Sequence, residues 1–306
     1  MLAYGNPAPS WLAVGGGPLP AAPWHVPNPW NLSWIPSLAP GSTVVLVGSG
    51  LTAIDTAISV LEGAPERHVI MVSRHGLLPE AHVASSSPAT STGWVTPVPP
   101  GPLTADGIAD LVAEQLRAAA SRGVDWRVVV DGLRAPTQSI WARLGPDERR
   151  RFLARYARAW EVRRHRMAPG VAALIDGYRA DGRLEVVGGG LASVADEGDR
   201  ASVELGGRRV TADAVVNCTG PLTDVERADN PLLAALLRRG LVVSDDLRLG
   251  LACTPSGEVL DATGRPVPGL FTVGPPRKGV LFETVAIPEI RVQAAEVAGM
   301  VQAPRP

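Results

Sequence analysis

The sequence predicts an α/β fold, and three observations carry that expectation. An apolar run at Val44–Val47 leads into the turn "GSG", a helical stretch follows from about Gly50 to Glu62, and a second apolar run lies at His68–Val72. A crossover of that length makes the two strands parallel neighbours in a right-handed βαβ unit. From residue 183 the apolar spacing changes to two, in "RLEVVGG", "RASVELGG" and "RRVTADAVVNCTG". That pattern reads as a small antiparallel set followed by a buried strand.

The remaining elements follow in order. "MLAYGN" reads as the last residues of a strand entering a turn, and 7–42 as a crossing segment containing Trp11, Trp24, Trp30 and Trp34. Rings among so many prolines are expected to pack rather than to carry chemistry. After the polar, Pro-rich stretch 84–104, Ile108, Leu111, Val112 and Leu116 recur at helical spacing. In "PDERRRFLARYARAWEVRRHRM", Phe152, Leu153, Tyr156 and Trp160 form an apolar stripe. Asp147 and Glu148 stand in its first turn, where the helix dipole favours acids. The tail, "GLFTVGPPRKG" then "IPEIRVQAAEVAGMV", reads as a strand, a turn and a final helix.

Composition narrows the function classes. A chain of 306 residues holds one large or two ordinary domains. Its 29 basic and 30 acidic residues give no electrostatic case for nucleic acid or an anionic membrane. The two cysteines, Cys218 and Cys253, are far apart and the five His are scattered, so neither a redox pair nor a metal site is expected. No stretch of about 20 apolar residues suggests a membrane span, and no signal peptide is evident. The expectation is a soluble, cytoplasmic protein.

The turn after the first strand carries the chemistry. Gly48 permits the tight exit, Gly50 lets the backbone approach a pyrophosphate, and Ala53 stands at the third, close-packing position. The phosphates would meet the backbone of Ser49, Leu51 and Thr52, at the positive end of the helix dipole. An acid usually ends the second strand of an NAD site to hold the ribose 2′-hydroxyl. Here "VSRHG" places Ser73, Arg74 and His75. A guanidinium fork and a hydroxyl suit a 2′-phosphate, so NADP(H) is expected over NAD(H). An Arg merely solvated in its loop is the alternative reading.

The flanking segments carry a resemblance. "MLAYGNP", "LVGSGLTAID", "SRHGLLPEAH", "WEVRRHRMAP", "ADAVVNCTGP" and "PGLFTVGPPRKG" together resemble the bacterial FAD/NAD(P)-binding oxidoreductases called YdhS-like, over nearly the whole chain. The resemblance implies a two-dinucleotide-binding flavoprotein type. It comprises a Rossmann-like NAD(P)-binding domain at 36–212 with a helical insertion at about 104–180, and a partial FAD-binding domain from 1–35 and 213–306. It implies FAD near Gly5, Asn6, Gly220, Gly274, Pro275, Glu283 and Thr284, the last two starting the final helical stretch, and Asp55 facing the cofactor space. It also implies hydride transfer from NADPH to FAD and onward to an unknown acceptor or oxygen. Members begin with an FAD-binding βαβ unit ahead of "MLAYGN", so an N-terminally shortened form is expected, covered by a second copy or a partner. A non-catalytic NADP-binding module is the alternative.

No residue declares itself catalytic: the sequence has no nucleophile elbow and no HExxH. Asp147–Arg166 holds eight Arg against three acids, which either steers an anionic ligand or forms a solvated face paired with carboxylates. His165, behind that stripe, is a candidate proton donor, with an ordinary core or surface His as the alternative.

Overall fold

The computed structural model describes residues 1–83 and 98–302. Most of the Pro-rich stretch read from the sequence, 84–97, lies outside the described residues. The chain divides into two compact units: 9–87 with 161–221, and 1–8 with 88–160 and 222–306.

The first of these is built on β1 (His25–Val26), β2 (Thr43–Val47), α1 (Leu51–Leu61), β3 (His68–Val72), α2 (Pro169–Ala180), β4 (Leu184–Val187), β5 (Leu191–Asp196), β6 (Ala201–Leu205), β7 (Arg208–Ala212) and β8 (Ala214–Asn217). Five of the strands form an all-parallel sheet in the order β1-β8-β2-β3-β4. Successive side chains point to opposite faces, and both faces are covered. Val44, Leu46, Val69, Met71 and Val216 pack with Ile54, Val60 and Leu61 of α1 and Ile175 of α2. Val45, Ile70, Val72 and Val215 pack on the other side with Trp24, Leu12, Val203 and Leu205. The antiparallel sheet β5-β6-β7 supplies two of those partners.

The parallel β1–β4 and β8 sheet departs from the sequence expectation in one strand. "RLEVV" was expected in the antiparallel set, but β4 pairs parallel with β3, Val69 facing Leu184 and Val72 facing Val187. The reason is α2, which brings the chain back along the sheet as a crossover helix, so that β4 extends the parallel order. The contacts also group the chain differently from the expected boundaries. The crossing segment 9–35 clusters with the dinucleotide sheet, because Trp24 is buried in its core and β1 pairs with β8. The strand 214–217 joins the same sheet beside β2.

The second unit holds helices Ala105–Ser121, Trp126–Gly132, Thr137–Arg143 and Pro146–Arg155, a hairpin of Glu258–Leu260 with Pro266–Phe271, and the last helix Ile287–Gln302. Helices expected as an insertion in the Rossmann-like domain therefore cluster with 1–8 and 222–306. Local capping explains their starts: Thr104 accepts from the Gly107 N–H and Asp125 from the Arg127 N–H. The long helix read through Tyr156 breaks there, into Pro146–Arg155 and Ala157–Arg164. Trp141 and Phe282 stack at 4.5 Å, with Phe152 edge-on to Phe282 at 5.4 Å. Leu2 bridges in parallel to Thr272, which ties the N-terminus to the hairpin strand.

Candidate dinucleotide site

The registers place Asn217, Val47, Val72 and Val187 in one row, so β8, β2, β3 and β4 end together. The chain runs outward from β2 to β3 and β4, then returns on the other side of β2 as β8. Such a reversal opens a crevice at the carboxyl ends of the strands, where ligands of open α/β sheets bind. Gly48–Gly50, residues 73–77, Gly188–Gly190 and Gly220 all follow strands that end in this row.

Gly48 is fixed by backbone rather than by ligand. Its φ is 125°, and a Cβ there would lie 2.2 Å from the Cys218 carbonyl oxygen. Gly50 is different: nothing stands within 4 Å of the position its Cβ would take. It is also the N-cap of α1, and no side chain caps that helix. The first-turn N–H groups of a helix have no intrahelical acceptor. Here Leu51 is 38% exposed, Thr52 is half-buried, and no side chain among the described residues caps the turn, so the helix dipole faces an open approach. These are the features a pyrophosphate needs.

Beyond β3 the loop is held from several directions. The Ser73 N–H donates to Val187 O at 3.0 Å, Gly190 N–H to Ser73 O at 3.1 Å, and Gly189 N–H to Arg74 O at 3.2 Å. The Ser49 side chain is buried beneath the turn: its hydroxyl donates to Leu77 O at 2.7 Å and lies 2.8 Å from Ser73 Oγ. Arg74 and His75 are exposed, and the Arg74 guanidinium makes no hydrogen bond or ion pair among the described residues. A backbone held on several sides thus presents a cation with no partner among the described residues, a group able to pair with a phosphate.

Two nearby groups can be assigned by their surroundings. Burial pushes the Cys218 thiol up to about 12, so it is no nucleophile at neutral pH. Partial burial raises the carboxyl of Asp55, which is exposed on α1.

The residues expected to meet FAD fall into two groups. Gly5, at φ 71°, has open space where a Cβ would stand, and Asn6 is exposed with no side-chain hydrogen bond among the described residues. These two fit a nucleotide's approach. At the closing motif, Gly274 N–H donates to Gln293 Oε1 at 2.8 Å, while Thr284 Oγ1 donates to Gly274 O at 3.0 Å. Pro275 and Pro276 have no N–H to offer, and Arg277 N–H donates back to Gly274 O. Glu283 is buried and accepts from Trp160 Nε1 at 2.9 Å. So Gly274, Thr284 and Glu283 brace this segment, and Pro275 starts a short 3₁₀ turn. Glu283 and Thr284 do not start the final helix, which begins at Ile287. Gly220, at φ 93°, ends the turn after β8.

Three arginines of the Arg-rich stretch form ion pairs with carboxylates. Arg150 meets Asp147 at 2.9 Å, Arg151 meets Asp106 at 2.9 Å, and Arg155 meets Asp106 at 3.5 Å. Arg149 lies over the Trp141 ring at 5.2 Å. His165 is half-buried just past Ala157–Arg164. Among the described residues, no group of three His, Cys, Asp or Glu is placed to hold a metal ion, and no helix is long and apolar enough to cross a membrane.

No family model matches the chain. A curated relative, the nitrosuccinate-forming L-aspartate N-monooxygenase of Streptomyces cremeus, is 35% identical over 133 residues, 38% of this chain and 19% of that protein. Among solved structures, L-lysine 6-monooxygenase from Pseudomonas syringae superposes with a TM-score of 0.57 at 16% identity, covering 98% of this chain and 62% of that one. An ornithine N-hydroxylase from Kutzneria sp. 744 gives 0.54 at 13% identity, covering 98% and 62%. The reduced ornithine hydroxylase from Pseudomonas aeruginosa gives 0.54 at 14%, covering 97% and 60%. The chain thus spans about three fifths of these structures and about a fifth of the curated relative. The likeness shows the fold: α/β, with a Rossmann-like parallel sheet.

Proposed function

We propose that this chain binds NADPH and FAD as an oxidoreductase that uses oxygen to N-hydroxylate an amino acid. The observation that carries it is the α1 N-terminus, without a side-chain cap, behind Gly48–Gly50 and beside Arg74, which has no partner among the described residues. The curated aspartate relative supports the substrate class, and the lysine and ornithine hydroxylases share the fold. The balanced reaction would be R–NH₂ + O₂ + NADPH + H⁺ → R–NHOH + H₂O + NADP⁺. Flavin would supply two-electron transfer from the nicotinamide and reaction with oxygen. Gly48, Gly50, Leu51 and Thr52 would seat the pyrophosphate, and Arg74 with His75 the 2′-phosphate. Gly5 and Asn6 are the residues that would meet FAD, with Gly220 and Pro275 as further candidates. Gly274, Glu283 and Thr284 would support from behind. Membership of the YdhS-like family, a partial FAD-binding domain, and coverage by a second copy are parts of the proposal.

One observation favours a second reading, a non-catalytic NADP-binding module: the backbone of Gly274–Arg277 offers no free donor to a flavin phosphate. One experiment separates the two. The purified chain is offered FAD, freed of excess, and scanned near ~450 nm before and after anaerobic NADPH. Retained flavin that bleaches supports the oxidoreductase, and hydroxylamine formed from aspartate in air supports the substrate class. No retained flavin, with NADPH still raising Tm, supports the binding module.

A further inference from the structure

Ser49 is an interior residue of the glycine turn, yet its side chain turns away from the open approach and into the protein. It is 3% exposed, and its hydroxyl reaches a different loop, residues 73–77, which follows the neighbouring strand. The proton arithmetic fixes the direction of the contacts. Leu77 O can only accept, so Ser49 donates its one proton there, at 2.7 Å. Ser73 Oγ lies 2.8 Å from the same hydroxyl on its acceptor side, and also accepts from the Gly76 N–H at 3.1 Å. The Ser49 proton is thus committed inside the protein and is not left for phosphate.

The loop bearing Arg74 is therefore clamped on two sides. On one side the clamp is main chain, through Val187, Gly189 and Gly190. Gly76 approaches closely there: its φ is 61°, and a Cβ would lie 3.1 Å from Gly188 N. On the other side the clamp is the Ser49 hydroxyl, one residue from each of the two glycines that seat the pyrophosphate.

We infer that Ser49 is a positioning residue for NADPH specificity: it sets the distance between the pyrophosphate turn and the Arg74 loop, and touches neither phosphate. The inference rests on the NADP reading proposed above. NADP⁺ must reach both subsites at once, so its affinity depends on their spacing, whereas NAD⁺ uses the turn without the Arg74 cation.

The test is calorimetric binding of NADP⁺ and NAD⁺ to the full chain and to Ser49→Ala, Ser49→Thr, Arg74→Ala and the Ser49→Ala/Arg74→Ala double variant. The expected result is that Ser49→Ala weakens NADP⁺ about tenfold and NAD⁺ less than about twofold, with Thr restoring much of the loss. In the Arg74→Ala background the same change costs NADP⁺ no more than NAD⁺, because the loop it positions no longer holds a cation. Equal weakening of both nucleotides, or no change in either, overturns the inference and leaves Ser49 a structural part of the turn. If Arg74→Ala leaves the NADP⁺ to NAD⁺ ratio unchanged, the NADP reading itself fails, and the inference fails with it. Thermal melting of each variant shows whether a loss reflects binding or folding.

Discussion

Gly48 and Cys218 meet backbone to backbone, closely enough that a Cβ on Gly48 would stand 2.2 Å from the Cys218 carbonyl oxygen. This contact joins the end of β2 to the end of β8, and Cys218 N–H donates to Val47 O at 2.9 Å beside it. The glycine that looks like a phosphate residue is first a packing residue of the sheet.

Gly48→Ala therefore strains the turn twice, by clash and by a φ of 125° that L-residues avoid. A loss of about 2–4 kcal/mol is expected in urea unfolding. Gly50→Ala, with open space around it, costs far less stability and instead weakens NADP⁺ binding. Equal stability losses for the two variants would count against this division of roles.

His25 should make stability depend on pH. Its Nδ1 lies 3.0 Å from Pro20 O, so that nitrogen carries the proton, and Nε2 is buried with no hydrogen-bond partner among the described residues. Burial holds its pKa below the ordinary value, against the opposing pull of the Pro20 carbonyl. The unfolded chain thus binds the proton at a pH where the folded one does not. Stability is whole above about pH 6.5 and falls as pH drops below it. His25→Leu should flatten the difference in urea midpoint between pH 7.5 and 5.5, and an unchanged difference would assign it to other groups.

Arg183 closes the far end of α1. Its Nη2 donates to Leu61 O and Ala64 O, each at 2.7 Å, and its guanidinium lies 5.1 Å from the centre of the Tyr178 ring. Each of those carbonyls also accepts a backbone N–H at 3.2 Å, from Ala64 and Arg67 respectively. Arg183→Ala therefore removes a second, charge-assisted bond from each, and about 1–3 kcal/mol of stability should go with them. Arg183→Lys keeps the charge but not the fork, so its unfolding midpoint should fall between the two.

Phe282 sits at φ 61° and ψ −65°, with Glu283 N–H donating to Leu281 O at 2.8 Å, a strained γ-turn. Losing its ring from the Trp141 stack should cost about 3–5 kcal/mol, more than the roughly 1–3 kcal/mol of strain. Both truncations are therefore destabilising, but Phe282→Gly relieves the backbone and Phe282→Ala does not. Chemical denaturation should rank Gly above Ala, the reverse of the usual order.

What the sequence determined by itself is what short range can carry. The apolar runs placed β2 and β3, the glycines marked the turn between β2 and α1, and Arg74 in place of an acid pointed to a 2′-phosphate. Each is a property of a few adjacent residues: a period, a permitted φ, a charge. The tertiary structure decided the partners. The alternation in "RLEVV" suits either sheet, and only the path of α2 puts β4 beside β3. Thr284 reads as the start of the final helix until its hydroxyl is seen on Gly274 O. Ser49 reads as a phosphate neighbour until its proton is found on Leu77, 28 residues away. A side chain has one place for its proton, and the acceptor that takes it is chosen by chain segments that local pattern does not relate.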